Sequence, residues 1–390
     1  MAEKQSQPQI EIAIDVNQIS CRSTTLPHLE ASIIEKPPSS VLSKFHAGYF
    51  RISLSLCSQA LMWKTLGDPV DDPHAFRQVF SMLPPTAFAL LWSLALFTLL
   101  SQSVLYILRC LFRFQLVKKE FFHPVGVNYL FAPWISWLLL LQSSPFISPS
   151  SILCQTLCCA FVVPVLVLDV KLYGQWFTKG PWLLWTMANP TSQISVIGNL
   201  VGAMAAARMD WTESAVFMFS LGIIHYLVLF VTLYQRLSGS NSLPEMLTPT
   251  FFMFIAAPSM ASLAWCSISG RLDVASKMLF FLSLFLFFSL VCRPALFKKS
   301  MRKFSIAWWA YSFPLTVLAL ASTEYAQGVT GNIAHTLMLL LTAVSVLVTF
   351  ALLVITALSS NILFSSKLTN PVRGPAIITS TTTTSTASIS

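Results

Sequence analysis

TPTFFMFIAAPSMASLAWCSISGRLDVASKMLFFLSLFLFFSLV, Thr248–Val291, contains two apolar runs of different kinds. The first holds Pro249 and Pro258, nine residues apart, with Ser259 and Ser262 beyond the second proline. The second, Met278–Val291, is dominated by Leu and Phe and has no proline. They lie in apolar segments, 249–269 and 273–292, each long enough at about 1.5 Å per residue for the hydrocarbon core of a bilayer. A proline inside a helix removes a hydrogen bond and kinks the chain. Backbone groups freed within a membrane must face protein or a water-filled cavity. The stretch therefore reads as a helical hairpin, its broken, hydroxyl-bearing arm turned inward and its smooth arm turned to lipid.

Working outward, the same alternation recurs. Apolar segments lie at 45–66, 86–112, 124–142, 150–170, 185–207, 213–235, 249–269, 273–292, 305–322 and 335–361. The third has Pro124 and Pro133, again nine apart, and the ninth has Ser305 and Pro314 at the same spacing. The fifth has Pro190, with Gly198 and Asn199 where a second proline would fall; the first fits worst, with Lys44 and Ser53. Among the even segments only Pro164 interrupts a run. The odd segments also carry the polar side chains: Ser53, Ser55, Ser58 and Gln59; Asn128; Thr191, Ser192, Gln193 and Ser195; Ser259 and Ser262; Ser312 and Thr316. The fold expected is an all-α membrane protein of ten transmembrane helices, arranged as five helical-hairpin repeats around a central pore. The domain division expected is a cytoplasmic N-terminal tail at 1–44, a channel domain at 45–361 and a Ser/Thr-rich cytoplasmic tail at 362–390.

Composition agrees with that class. Of 390 residues, 55% are hydrophobic and 10% charged, against roughly 25% charged in a soluble domain. The net charge of +9 could suggest nucleic acid, but the cations sit between apolar runs and no nucleic-acid motif accompanies them, so no nucleic-acid partner is expected. They read as topology signals. Loops on the side of the termini hold Arg109, Arg113, Lys118, Lys119, Lys171, Lys179, Arg236, Arg293, Lys298, Lys299, Arg302 and Lys303. The opposite loops hold Lys64, Arg77, Arg208, Arg271 and Lys277, beside Asp68, Asp71 and Asp72. That bias places both termini in the cytoplasm. The cluster Lys298–Lys303 reads first as an orientation signal and second as a site for anionic membrane lipid. No cleavable signal is recognised in residues 1–40, so the first apolar segment is expected to act as the insertion signal. The eight cysteines read as small packing residues, with no metal-ligand spacing, and no motif of enzymatic chemistry appears. No cofactor or metal is expected.

The candidate pore lining is Ser53, Asn128, Pro133, Thr191, Ser195, Pro258, Ser259, Ser262, Ser312, Pro314 and Thr316, and Arg51 reads equally as a cation drawing anions to one mouth or as a side chain snorkelling to the interface. The odd segments lack Asp and Glu in their central turns, whereas cation pores ring themselves with carboxylates and proton-coupled transporters need a titratable relay. Hydroxyl donors can replace part of an anion's hydration, so the pore expected is one for anions. His225 in the sixth segment reads as a hydrogen-bonded packing residue.

Seven stretches carry a family resemblance: FHAGYFRISLSLCSQALMW (Phe45–Trp63), FFHPVGVNYLFAPW (Phe121–Trp134), VKLYGQWFTKG (Val170–Gly180), NPTSQISVIGNLVGA (Asn189–Ala203), HYLVLFVTLYQRL (His225–Leu237), AAPSMASLAW (Ala256–Trp265) and FSIAWWAYSFPLT (Phe304–Thr316). Together they resemble the plant slow-type anion channels, related to bacterial tellurite-resistance and dicarboxylate-transporter proteins. The resemblance implies ten helices in five hairpins, a pore in each protomer, a trimer, and passage of chloride and nitrate across the plasma membrane. It implies a phenylalanine plug from the ninth helix, at the position of Phe313. About 40 residues precede the first apolar segment, as in a short family member. This separates the chain from longer members whose N-terminal regions are kinase targets, so regulatory kinases are in question as partners. The alternatives are a silent modulatory subunit in mixed trimers with longer members, and an organic-anion (dicarboxylate) transporter.

Overall fold

The structure is a computed structural model and describes residues 41–67, 85–123, 125–179, 188–237, 245–294, 297–298, 301, 304–329 and 331–365. Residues 1–40 and 366–390 of the expected tails, the loop Asp68–Pro73, Pro124 and most of the cluster Lys298–Lys303 lie outside the described residues. The long helices are α1 (Arg51–Gly67), α2 (Pro85–Phe112), α3 (Phe131–Gln142), α4 (Ile152–Lys179), α5 (Gln193–Ala207), α6 (Thr212–Leu237), α7 (Met253–Ser269), α8 (Val274–Val291), α9 (Trp309–Gly328) and α10 (Asn332–Ser365). One compact unit ends at Thr349; a second begins at Phe350 and contains the last turns of α10. No strand occurs among the described residues. Among the described residues seven helices are long and apolar enough to cross a membrane, or eight if Phe114–Phe122 and Gly126–Gln142 form one broken span. The shortfall from ten comes at α1 and α5, whose helices of 17 and 15 residues are shorter than the roughly 20 a bilayer core requires.

Burial divides the helices into two populations. The apolar windows containing α7 and α9 are 72% and 89% buried, while those of α2, α4, α6 and α8 are between 17% and 33% buried. Helix α5 is buried from Gln193 to Ala206, and most of α1 is buried. Within the first unit the buried helices touch in a closed cycle: α1 with α3, α3 with α5, α5 with α7, α7 with α9, and α9 with α1. Helices α2, α4, α6 and α8 pack outside this cycle, each against the buried helix before it and the one after. They expose apolar side chains, such as Phe97 and Ile107 on α2 or Phe285 and Phe288 on α8. In water such surfaces would be an aggregation hazard; against lipid they are the expected coat.

Short turns that the sequence does not announce lead into the buried helices. They are Ala47–Phe50, Gly126–Tyr129, Pro190–Ser192, Glu245–Phe252 and Ile306–Trp308. Three follow an extended residue of almost identical backbone: His46 (φ −138°, ψ 165°), Asn189 (−143°, 163°) and Ser305 (−143°, 158°). His46 Nδ1 accepts from Gly48 N at 3.1 Å, and Asn189 Oδ1 accepts from Thr191 N at 3.0 Å. Such caps satisfy backbone donors that a helix start leaves open. The turns also touch in series: Gly126–Tyr129 meets Ala47–Phe50 and Pro190–Ser192, while Glu245–Phe252 meets Pro190–Ser192 and Ile306–Trp308. All five buried helices therefore start on the same side and run in the same direction.

Glycines set the closest approaches. On α5, Gly198 faces Val165 and Phe131, and Gly202 faces Met218 of α6. Small residues four apart let helix backbones approach in a membrane. Gly126, at the first lead-in turn of α3, is more constrained, because a Cβ there would lie 2.7 Å from the backbone oxygen of Glu120. Gly174 on α4 has nothing within 4 Å of an added Cβ. Gly126→Ala is therefore expected to destabilise the protein by about 1–3 kcal/mol through overpacking. Gly174→Ala should be neutral or stabilising by up to about 1 kcal/mol, because alanine is the better helix former. Thermal unfolding of the purified proteins in detergent, followed by size-exclusion chromatography, checks both; equal midpoints would refute the assignment.

Candidate ion passage

At the starting end of the cycle, basic and acidic groups hold the first lead-in turn. Arg51 is buried, its Nε donates to Gly48 O at 2.9 Å, and its guanidinium lies 4.7 Å from the centre of the Tyr129 ring. The expected mouth cation is thus tied to its own turn and to the lead-in of α3. Helix Phe114–Phe122, a stretch read from the sequence as a charged loop, brings Glu120 back to this point. Glu120 Oε1 accepts from Ala47 N at 2.7 Å, and its other oxygen lies 3.5 Å from Arg109 Nη2. Burial pushes the Glu120 carboxyl above its ordinary range, opposed by the Ala47 N–H and the Arg109 charge. No residue pattern signals this contact, whose partners stand 73 positions apart.

The hydroxyls of the buried helices make definite hydrogen bonds, many to the backbone one turn back and several to the outer helices. Ser53 Oγ donates to Gln102 Oε1 of α2 at 2.5 Å. Ser262 Oγ donates to Ser276 O of α8 at 2.8 Å, and Ser259 Oγ meets Ser283 Oγ at 2.5 Å. Ser195 Oγ donates to Ser192 O at 2.9 Å and lies 3.5 Å from His225 Nδ1 of α6, whose ring also packs on Tyr173. Ser312 Oγ is 2.7 Å from Thr349 Oγ1 of α10, and Thr316 Oγ1 donates to Ser312 O while accepting from Ser345 Oγ at 2.9 Å. Gln59 Nε2 joins this seam, within 3.0 Å of Thr316 Oγ1 and 2.8 Å of Ser345 Oγ and Thr349 Oγ1. Asn128 Nδ2 bridges instead between neighbouring starts, to Thr191 Oγ1 at 3.3 Å and Ser192 Oγ at 3.2 Å. A hydroxyl has one proton to donate. For Ser53, Ser195, Ser262 and Thr316 that proton is already committed to protein.

Pro133, Pro258 and Pro314 occupy equivalent places in α3, α7 and α9, and the residues before them are Ala132, Ala257 and Phe313. All three preceding residues are at most 1% exposed. The phenyl ring of Phe313 is thus fully enclosed at a level where the other two helices present methyl groups. Two further buried polar groups stand out. Gln193, at the first turn of α5, is fully buried, and neither amide atom has a hydrogen-bond partner. Asp169, a lone acid in the apolar run of α4, is buried facing Asn199 of α5. A single carboxylate amid aliphatic residues was the available signal for Asp169; nothing in the sequence distinguished Gln193 from its neighbours.

At the opposite end of the cycle a cavity of about 330 Å³ opens between the C-terminal ends of α1, α3, α5 and α9. Lys64, Arg208 and Glu324 line it together with Gln142 and Gln327. Lys64 Nζ donates to Gln142 O at 3.0 Å and Ser144 O at 3.1 Å.

The comparisons with known proteins bear on this arrangement. The sequence model of the family described as "Voltage-dependent anion channel" matches residues 44–357. The chain is 58% identical over 337 residues to the S-type anion channel SLAH1 of Arabidopsis thaliana, covering 86% of each chain. It is 54% identical to the S-type anion channel SLAH4 of the same plant, over 90% of this chain and 93% of that one. To the guard cell S-type anion channel SLAC1 it is 43% identical, over 81% of this chain but 56% of the longer relative. The family is one of channels, not enzymes. With its closed cycle of buried helices inside an apolar coat, the chain belongs to the SLAC1 family of voltage-dependent anion channels.

Proposed function

We propose that this protein is a plasma-membrane anion channel conducting chloride and nitrate passively, with its passage along the axis of the α1–α3–α5–α7–α9 cycle. The observation that carries this reading is that cycle: five buried helices running in parallel, closed on themselves within one chain. Parallel helices gather their N-terminal ends at one mouth, where the helix dipoles favour anions. We count ten spans in five hairpins. The four-residue lead-in turn and 17-residue α1 make 21 residues, and the three-residue turn and 15-residue α5 make 18, close to what a bilayer core requires. Pro133, Pro258 and Pro314 belong to the wall of the passage in this reading. The hydroxyls of Ser53, Thr191, Ser195, Ser259, Ser262, Ser312 and Thr316, with Asn128, give the wall its polarity; the spent donors coordinate a passing anion only by giving up a protein partner. Gln193 is added to the lining, since a buried amide without a partner calls for water or an ion. Assembly as a homotrimer, or as a mixed trimer with longer family members, is part of the proposal on the strength of the family resemblance; contact with anionic membrane lipid is proposed for the basic cluster Lys298–Lys303, and kinase regulation is left out of it.

Both termini are proposed to be cytoplasmic, so the loop at 68–73 is outside, which the bias of basic residues supports. An epitope tag inserted there should be labelled on intact cells; labelling only after permeabilisation would reverse the topology.

Phe313 is proposed to plug the passage. Its ring is wholly enclosed, and an apolar constriction stops ions by dewetting as well as by size. A closed form favoured by a few kcal/mol suffices to keep such a channel silent at rest. Removing about 1.4–3 kcal/mol of barrier raises flux roughly ten- to a hundredfold, and Phe313→Ala is expected to raise chloride and nitrate currents within that range. Voltage-clamp recording at matched surface expression measures it, and a mutant no more conductive than wild type would remove Phe313 from this role. The second reading, carried by the family resemblance alone, is a modulatory subunit in mixed trimers with longer family members. It predicts that wild type is silent alone and alters the currents of a co-expressed longer relative.

A further inference from the structure

The cavity at the C-terminal mouth poses an electrostatic problem for any anion that passes it. The ends of α1, α3, α5 and α9 converge there beside the first turns of α4 at Cys154 and Cys158, so four helix C-termini, each the equivalent of about half a negative charge, outweigh one N-terminus of the opposite sign. Left alone, these carbonyls would repel an anion leaving by this route. Two cations stand against them. Lys64 lies in the last turn of α1 and donates to Gln142 O and Ser144 O at the end of α3, so one ammonium serves two helix ends. Arg208 occupies the C-cap position of α5. Near the end of α9 the sign reverses, because that helix brings Glu324 to the cavity wall.

From this geometry we infer that Lys64 and Arg208 make the C-terminal mouth passable to small monovalent anions, and that Glu324 acts against them as a brake on anion flux. The inference rests on the axial passage proposed above. The cavity's 330 Å³ has room for roughly ten waters at about 30 Å³ each. An anion there keeps its hydration shell, and the three charges act on its local concentration without stripping water from it. They therefore set how much current flows, and leave the choice between chloride and nitrate to narrower parts of the passage. Fields of this kind act through solvent and weaken as salt rises.

The test uses the full-length protein carrying Phe313→Ala, compared at matched surface expression with the same protein bearing Lys64→Gln, Arg208→Gln or Glu324→Gln. At low ionic strength each cation substitution should lower chloride conductance about threefold, and Glu324→Gln should raise it by about as much, with both effects shrinking in high salt. Lys64→Arg, which keeps the charge, should restore most of what Lys64→Gln loses. The chloride-to-nitrate permeability ratio should stay constant throughout. If Lys64→Gln fails to reach the surface, Glu324→Gln, which leaves the Lys64 hydrogen bonds intact, decides the matter alone. Conductances insensitive to these charges at low salt would overturn the inference while leaving the passage standing. So would a permeability ratio that moves as strongly as the conductance, which would make the cavity a dehydrating filter. A Phe313→Ala parent that is silent in every solution would bring down the passage and this inference with it.

Discussion

A hydroxyl inside a bilayer has no water to bond, so its proton must go to protein. That constraint organises this molecule. The buried helices carry serines and threonines along much of their length, and they can do so because a second layer of helices supplies partners. Gln102 of α2 takes the proton of Ser53, the backbone of α8 takes that of Ser262, and Thr349 of α10 pairs with Ser312. The outer helices satisfy the inner ones on one face and present Phe, Leu, Ile and Val to lipid on the other. Interhelical hydrogen bonds of this kind are each worth only about 0.6–2 kcal/mol in membranes. Their larger effect is on register, since a slip of one residue would strand several buried donors at once.

The same seam bears on what was legible in the sequence. The contrast between Thr248–Ser269 and Met278–Val291 marks which helix of a pair is buried, because proline and serine are tolerated inside and disfavoured against lipid. Membership in the inner or outer layer could therefore be read directly. Which side of an inner helix a serine faces could not, because an inner helix is surrounded by protein on every side and has no polar face to detect. Of the hydroxyls expected along the axis, those of Ser53, Ser259, Ser262 and Ser312 bond to outer helices, whereas Thr191 meets Asn128, and Ser195 and Thr316 donate to backbone oxygens one turn back. The lead-in turns escaped notice for a different reason. They are only three to eight residues long and depend on extended residues such as His46, Asn189 and Ser305, which share a backbone shape but no side-chain type. Lys118, Lys119 and Glu120 disguised helix Phe114–Phe122 as a loop, although its aromatic ends, Phe114 and Phe122, suit a membrane interface.

Running all five buried helices in one direction gives the two mouths opposite character. Starts gather at one end, where Arg51 and the Arg109–Glu120 pair fix the first turn. Ends gather at the other, where the carbonyls need Lys64 and Arg208. Between them Phe313 stands where its counterparts are alanines. The plug proposed above rests on this asymmetry between otherwise similar helices, a phenyl ring where the other two present methyl groups.

The central claim is that the passage lies within one chain, walled by α1, α3, α5, α7 and α9. A density map of the Phe313→Ala protein in lipid nanodiscs, sharp enough to resolve ordered water, tests it most directly. The account predicts a continuous water-filled path inside each protomer, running from the lead-in turns to the cavity at Lys64 and bounded by those five helices alone. A map in which the five helices stay packed shut on their axis, with solvent crossing between protomers, would contradict it.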